Sequence, residues 1–263
     1  MNAQLQKELK QEELKLLSLF DLFCEQNGLK YFLAYGTLLG AIRHNGFIPW
    51  DDDVDIIMPR EDYDLLLSCL YKKLPKEVYL QSFNTEKNYK LYISKLRLLG
   101  SKFEEEQISH LDIVHGAYID IFVYDSVPKG KISQFFMQMK NRWYISQMRF
   151  FFKGESTKKS FLGKFLFSLY AKFPPNYDVI RKKWEKLISK YKNSSTEMVY
   201  NFSGDGLHEV MPAAIYRDAV KIKFEDLSLN APIGYIQYLE CIYGDYLRLP
   251  PEEQRINHGM VKM

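Results

Sequence analysis

The chain has 263 residues, 46% hydrophobic and 26% charged, an ordinary soluble composition with length enough for one large core or two modest ones. Its 36 basic and 33 acidic residues leave a formal charge of +3, too mild to imply a nucleic-acid partner. Cys24, Cys69 and Cys241 are scattered and odd in number, which excludes a disulfide framework or a Cys-x-x-Cys knuckle, and MNAQLQKELKQEELKLL lacks the apolar stretch of a secretory signal, so a cytoplasmic location is expected.

A first helix is expected to run to about Asn27 and close at Gly28, because Leu5, Leu9, Leu16, Leu19, Phe20 and Phe23 recur at helical spacing. KYFLAY (Lys30 to Tyr35) then reads as a strand entering Gly36-Thr37, with Leu38, Leu39, Ala41 and Ile42 on a short helix capped by Thr37. A helix start attracts anions through its N–H groups and dipole, and a glycine there lets a ligand approach the chain, so Gly36 and Thr37 are candidate phosphate binders. Arg43 is weighed evenly between a phosphate contact and a surface residue, and His44 reads as a surface turn.

Four aspartates follow in PWDDDVDIIM: Asp51, Asp52, Asp53 and Asp55. The run leads straight into Ile56, Ile57 and Met58, as a strand leaving a core does. Residues i and i+2 of a strand share a face, roughly 6.5–7 Å apart. Two carboxylates so placed repel each other unless a cation lies between them, and hard oxygen ligands select Mg²⁺ or Mn²⁺. The expected chemistry is a metal-dependent phosphoryl-transfer site, set against the plainer reading of a solvated acidic turn. An EF-hand is excluded, since the sixth and twelfth positions from Asp51 hold Ile56 and Asp62 instead of Gly and Glu.

A helix from about Arg60 to Leu74 comes next, then strands near Val78–Phe83 and Lys90–Leu98, an acidic loop at Glu104-Glu105-Glu106, and a strand over Ala117–Tyr124. Lys95 and Arg97 alternate with Ile93, Leu96 and Leu98, so both project from one face, either toward phosphates or from a solvent-facing edge. Asp120, in the middle of an apolar strand, must be paired with a cation or bind metal. Asp125, before Ser126-Val127-Pro128, reads as a turn residue. This succession points to an α/β fold with a mixed sheet flanked by helices. Residues 129–197 read as a helical insertion. The part after Met198 returns to short strands and one helix, Ile233 to Ile242, with Gly244 as its C-cap. Without repeats or low-complexity linkers, the chain reads as one domain, with an N-terminal helix (1–28), a metal- and nucleotide-binding core (29–128), the insertion and a completing C-terminal part (198–263).

Residues 131–173 combine many aromatics with a basic excess and one acid, Glu155. Phe161, Phe165 and Leu169 form a helical stripe with lysines nearby, as in an interfacial amphipathic helix. A core-facing helix is the competing reading, favoured for the first half of the segment. No apolar run is long enough to span a bilayer.

AYGTLLGAIRHNGFIPWDDDVDIIMPREDYDLL resembles the signature of the LicD family and the catalytic part of fukutin-related proteins. SKLRLLGSK, YIDIFVYD and YLECIYGDYLRLPPEEQRINH resemble its later markers, so the resemblance brackets residues 31 to 258. It implies a nucleotidyltransferase-like fold and transfer of a phosphoalcohol, first of all phosphocholine from CDP-choline, to a hydroxyl of a cell-surface glycan or its lipid-linked precursor, at the inner face of the membrane. Asp53 and Asp55 would hold Mg²⁺ (or Mn²⁺). Asp120 would be the third carboxylate, as ligand and proton acceptor. Gly36, Thr37, Arg43, Lys95 and Arg97 would bind phosphate or nucleotide, with Trp50, Asp52, Asp245 and His258 at the substrate rim. An Asp-x-Asp nucleotide-sugar glycosyltransferase and a non-catalytic cation- or glycan-binding module are the alternatives.

Overall fold

A computed structural model describes residues 3–151, 172, 176–192, 196–204, 209–255 and 259–262. Helix α1 (Ala3–Asn27) buries Leu9, Leu16, Leu17, Phe20, Phe23 and Cys24 and packs along two central strands. It ends where Gly28 takes a φ of 65°, a conformation that costs a glycine little. Strand β1 (Phe32–Leu33) is shorter than KYFLAY suggested, because Tyr35 already opens helix α2 (Tyr35–His44). Strand β2 (Asp55–Pro59) follows the aspartate loop. Helix α3 (Arg60–Leu65) continues through a wide π-type turn (Leu66–Leu70) and a tight 3-10 turn (Tyr71–Lys73), so the expected Arg60–Leu74 helix forms with an irregular second half.

The remaining strands are β3 (Val78–Gln81), β4 (Ser94–Leu98), β5 (Phe103–Glu105), β6 (Tyr118–Ser126), β7 (Met198–Asn201) and β8 (Met211–Pro212), then a β9 (Ala219–Phe224) to β10 (Leu227–Pro232) hairpin and β11 (Met260–Lys262). The main sheet has the order β1-β2-β6-β4-β3, with β7 joining the far end of β6 and β8 joining β7. Its β2–β6 pair is parallel and its other pairs antiparallel, the mixed α/β sheet that the alternation of elements implied. Almost every residue of β2, β4 and the first half of β6 is buried, which suits the apolar run Ile56-Ile57-Met58 and obliges the charged Lys95, Arg97 and Asp120 to find partners inside the protein.

Two expectations are corrected. The acidic stretch at Glu104–Glu106 is not simply a loop, since its first part is β5, which pairs antiparallel with β11 and so returns the C-terminal segment to the fold. Asp125 lies inside β6, buried, where the Arg60 guanidinium donates to both its oxygens at 2.7 and 2.8 Å.

Residues of the expected insertion form α4 (Lys131–Met148) and α5 (Tyr177–Ser189), the latter capped by Asn176, whose side chain accepts from the Val179 N–H. The two helices pack together around Met137, Ile145, Met148, Ile180 and Trp184. Asn141 bridges them to the sheet side, accepting from the Trp184 indole at 2.8 Å and donating to the Phe202 carbonyl at 2.9 Å. The expected stripe at Phe161, Phe165 and Leu169 lies outside the described residues, as does the Lys158, Lys159 and Lys164 charge beside it.

Candidate active site

The register of the sheet brings the site's charged side chains onto one row. Asp55 of β2 is the cross-strand partner of Asp120 on β6, which faces Lys95 on β4, which faces Gln81 on β3. Partners across a sheet project from the same face, so two acids and a cation from distant parts of the chain meet there. The Lys95 ammonium lies 2.6 Å from Asp120 and 3.2 Å from Glu105, over the Tyr118 ring at 3.6 Å from its centroid. Arg97 is fully buried one step along. Its guanidinium donates to Gln81 at 2.7 Å, to the Gly116 carbonyl at 2.9 Å and to Glu105.

The loop Asp51–Val54 carries Asp51 and Asp53 to a cleft of about 1020 Å³, lined by Gly36, Arg43, Trp50, Asp51, Asp53, Asp55 and residues of the Tyr243–Arg255 segment. Thr37 holds this loop to α2, because its Oγ1 accepts from the Asp55 N–H at 2.8 Å. Gly36 is small for a local reason: a Cβ there would stand 2.7 Å from Asp51 Oδ2. Tyr35 carries a φ of 42°, which an aromatic residue rarely adopts. Its N–H donates to the Tyr238 hydroxyl, its own hydroxyl donates to Glu209 at 2.7 Å, and Asn201 donates to that hydroxyl at 2.7 Å. Such over-determined backbone is the form in which strain persists beside functional clefts.

Burial and mutual repulsion make the row hungry for positive charge. Burial, then Asp53, Asp120 and Asp51, push the Asp55 carboxyl well above the usual range, with Lys95 opposing. Burial raises Asp120 to about 6 against the pull of Lys95. On the far wall, burial and then the field of Asp55, Asp51 and Asp53 raise the Tyr243 phenol. A divalent cation would relieve this excess, and the donor set is hard oxygen, so the residues present fit Mg²⁺ or Mn²⁺. Among the described residues no three metal-ligating side chains gather about one point. One or two carboxylates completed by phosphate and water oxygens is the usual Mg²⁺ arrangement.

Behind the loop lies Glu13 of α1, fully buried, with neither carboxylate oxygen hydrogen-bonded. Burial, then Asp53, Asp52 and Asp51, raise its pKa well above normal, and Lys10 opposes them only in part. A raised folded pKa means that wild-type stability is highest below about pH 4.3, where the unfolded glutamate is protonated too, and is lost as pH rises through the folded value. Glu13→Gln is therefore expected to stabilise the metal-free protein at pH 8, raising its urea midpoint. The gain should vanish below about pH 4.3. Urea denaturation in chelator at both pH values checks this.

Several expected site residues change role. Thr37 does not cap α2: the N-cap is Ala34, and Thr37 sits in the first turn holding Asp55. Arg97 is no phosphate ligand, because its donors are spent on Gln81, Gly116 and Glu105 in the interior. Lys95 is buried against Asp120 and Glu105, so it braces the carboxylates. Asp52 is not on the rim. Fully buried, it accepts from the Gly259 and Met260 N–H groups at 3.1 and 3.0 Å and fastens β11 beneath the aspartate loop. Asp52→Ala should cost about 1–3 kcal/mol in thermal or urea unfolding. Asp53, Asp55, Arg43, Trp50, Gly36 and Asp245 do line one cleft. His258 lies outside the described residues.

Glu105, Tyr243, Arg248 and Arg255 were not singled out by sequence reasoning. Arg255 stacks over Trp50 at 5.0 Å, and Arg43 donates to the Tyr246 and Arg248 carbonyls, drawing the Tyr-Gly-Asp turn against α2. The PPEEQR run contained the signal for Arg255. Glu105 was hidden among three consecutive glutamates.

The chain is 27% identical over 271 residues, 95% of both chains, to the lipopolysaccharide cholinephosphotransferase LicD of Haemophilus influenzae. A stretch of 38 residues is 53% identical to the human ribitol 5-phosphate transferase FKRP, covering 14% of this chain and 8% of that protein. An uncharacterized Rickettsia typhi protein is 31% identical over 128 residues, 43% of this chain and 38% of its own. Residues 28–165 match the family model for the LicD/FKTN/FKRP nucleotidyltransferase domain, which spans the aspartate loop, the Asp55–Asp120–Lys95 row and α4, and the chain belongs to that family.

Proposed function

We propose that this protein transfers a phosphoalcohol from a CDP-alcohol to a hydroxyl of a glycan or its lipid-linked precursor. CDP-choline is the first donor to try. The observation that carries the reading is the buried carboxylate pair Asp55 and Asp120 in register on neighbouring strands, Asp55 lining a cleft together with Asp51 and Asp53 and Asp120 lying next to it. Similarity to the Haemophilus influenzae cholinephosphotransferase along nearly the whole of both chains supports the reaction class.

Asp53 and Asp55 would hold Mg²⁺ or Mn²⁺, which supplies charge neutralisation at the phosphate oxygens. Asp120 takes the proton of the attacking hydroxyl. Its pKa of about 6 lies near the pH at which a base of this kind works, and Lys95 fixes its orientation. Arg43, half-buried on the cleft wall with an unpartnered Nε, is the cation best placed for a donor phosphate. Arg255 already covers Trp50, so Tyr243 and Tyr246 remain as aromatic surfaces for a quaternary ammonium.

A panel of CDP-choline, CDP-ethanolamine, CDP-glycerol and CDP-ribitol tests the reading, each offered with glycan acceptors and Mg²⁺ while CMP release is measured. Acceptor-dependent CMP release from one of them is expected. Turnover confined to nucleotide sugars would replace it with glycosyl transfer, and metal binding without turnover of any donor would leave a binding module.

A further inference from the structure

Among the described residues no helix is long and apolar enough to cross a membrane, yet α4 turns a large apolar surface to solvent. Ile132 is 76% exposed, Phe136 66%, Phe135 52%, Trp143 50% and Met139 46%. Their spacing puts them on one stripe of the helix, while Met137, Ile145 and Met148 on the other side pack against α5, where Asn141 accepts from the Trp184 indole. The first half of the aromatic segment is therefore core-facing on one side only. Contiguous exposed apolar surface of this kind marks an interaction site.

Charge decides what it meets. By helical geometry Lys131 and Arg142 border the stripe on one edge and Lys140 on the other, and all three are exposed. Residues 129–154 hold six lysines and arginines and no acid. A second copy of this chain would bring like charges together along both edges. An anionic lipid surface would take the aromatic side chains at its headgroup boundary and the flanking cations at its phosphates.

We propose that α4 is a membrane-docking helix that lies on an anionic bilayer with Ile132, Phe135, Phe136, Met139 and Trp143 inserted and Lys131, Lys140 and Arg142 at the lipid phosphates. The docking surface does not depend on which phosphoalcohol is transferred.

The test is co-sedimentation of the full chain with vesicles of phosphatidylcholine alone, or with equal parts of phosphatidylglycerol. Binding to the anionic vesicles is expected, about tenfold or more above the neutral ones and weakened by high salt. Phe136→Glu and the double variant Lys131→Glu/Lys140→Glu should each lower it by a similar factor, with unchanged melting and unchanged cleft-dependent turnover of a soluble acceptor. Trp143→Ser is the second apolar variant should Phe136→Glu fold poorly. Absence of binding at low salt, or variants that bind like wild type, overturns the proposal. So does a lipid-free dimer that Phe136→Glu dissolves, because the stripe would then belong to a second copy.

Discussion

Asp55→Asn is expected to lower turnover by at least about a hundredfold while leaving the protein folded and, without metal, more stable. The two effects have one cause. Asp55 is held rigidly at the start of β2, with the Thr37 hydroxyl on its N–H and Asp120 beside it in the parallel register. A carboxylate in that position is costly until a cation arrives, and burial and the neighbouring acids accordingly raise its pKa. The folded state holds its proton more tightly than the unfolded chain, so wild-type stability falls as pH rises from about 4 through the folded pKa. Asn removes that loss. The gain, about 0.5–2 kcal/mol by analogy with other relieved functional sites, should appear in chelator at pH 8 and disappear in strong acid. Saturating Mg²⁺ should stabilise wild type but not the variant, whose missing ligand removes the linkage. Asp53→Asn should share the activity loss. Full turnover of both variants at saturating Mg²⁺ would remove these residues from the metal site.

Arg97→Ala is expected to damage the fold, and only through it the activity. The guanidinium is fully buried and holds together β3 through Gln81, the Gly116 turn through its carbonyl and β5 through Glu105. Its removal leaves Glu105 paired with Lys95 alone and frees Gln81 and Gly116 acceptors inside the protein. Breaking a buried ion pair by deleting one partner costs about 3–5 kcal/mol, a large part of the total stability of a domain. Arg97→Lys should recover little of it, since an ammonium cannot span three acceptors in a plane. Denaturant unfolding of Arg97→Ala decides the matter. A variant that melts like wild type but shows a raised KM would return Arg97 to the phosphate-binding set.

The outcome for Arg97 shows where sequence reasoning reached and where it stopped. Alternation in SKLRL correctly put Lys95 and Arg97 on one strand face, and the apolar run around Asp120 correctly made it a buried acid needing a partner. What alternation cannot supply is the neighbour across the sheet. The partner of Asp120 is Lys95 because β6 runs antiparallel to β4 in one register, and the partner of Arg97 is Glu105 because a short strand folds back over both. The same limit applies to Asp52. Within Asp51–Asp55 the four acids are indistinguishable by type, and only the return of β11 assigns one of them to backbone N–H groups while Asp51, Asp53 and Asp55 line the cleft. Asp125 was misread because its chain neighbours spell a turn, whereas Arg60, far away in sequence, holds it in the strand. Glu13 was invisible for another reason: a glutamate in a helix with a solvated face is the ordinary case. The mixed α/β sheet, the first helix and its glycine stop, and the last helix with Gly244 as its C-cap were legible because they rest on local periodicity and capping.

The measurement that tests the central claim most directly is a mass analysis of both products when wild-type protein, Mg²⁺, a glycan acceptor and the CDP-alcohol that it turns over are incubated together. Attack on the phosphorus next to the alcohol predicts an acceptor heavier by one phosphoalcohol and a nucleotide product that is CMP, with both products absent for Asp55→Asn. An acceptor that gains the bare alcohol while CDP leaves, or products formed equally by Asp55→Asn, would contradict it.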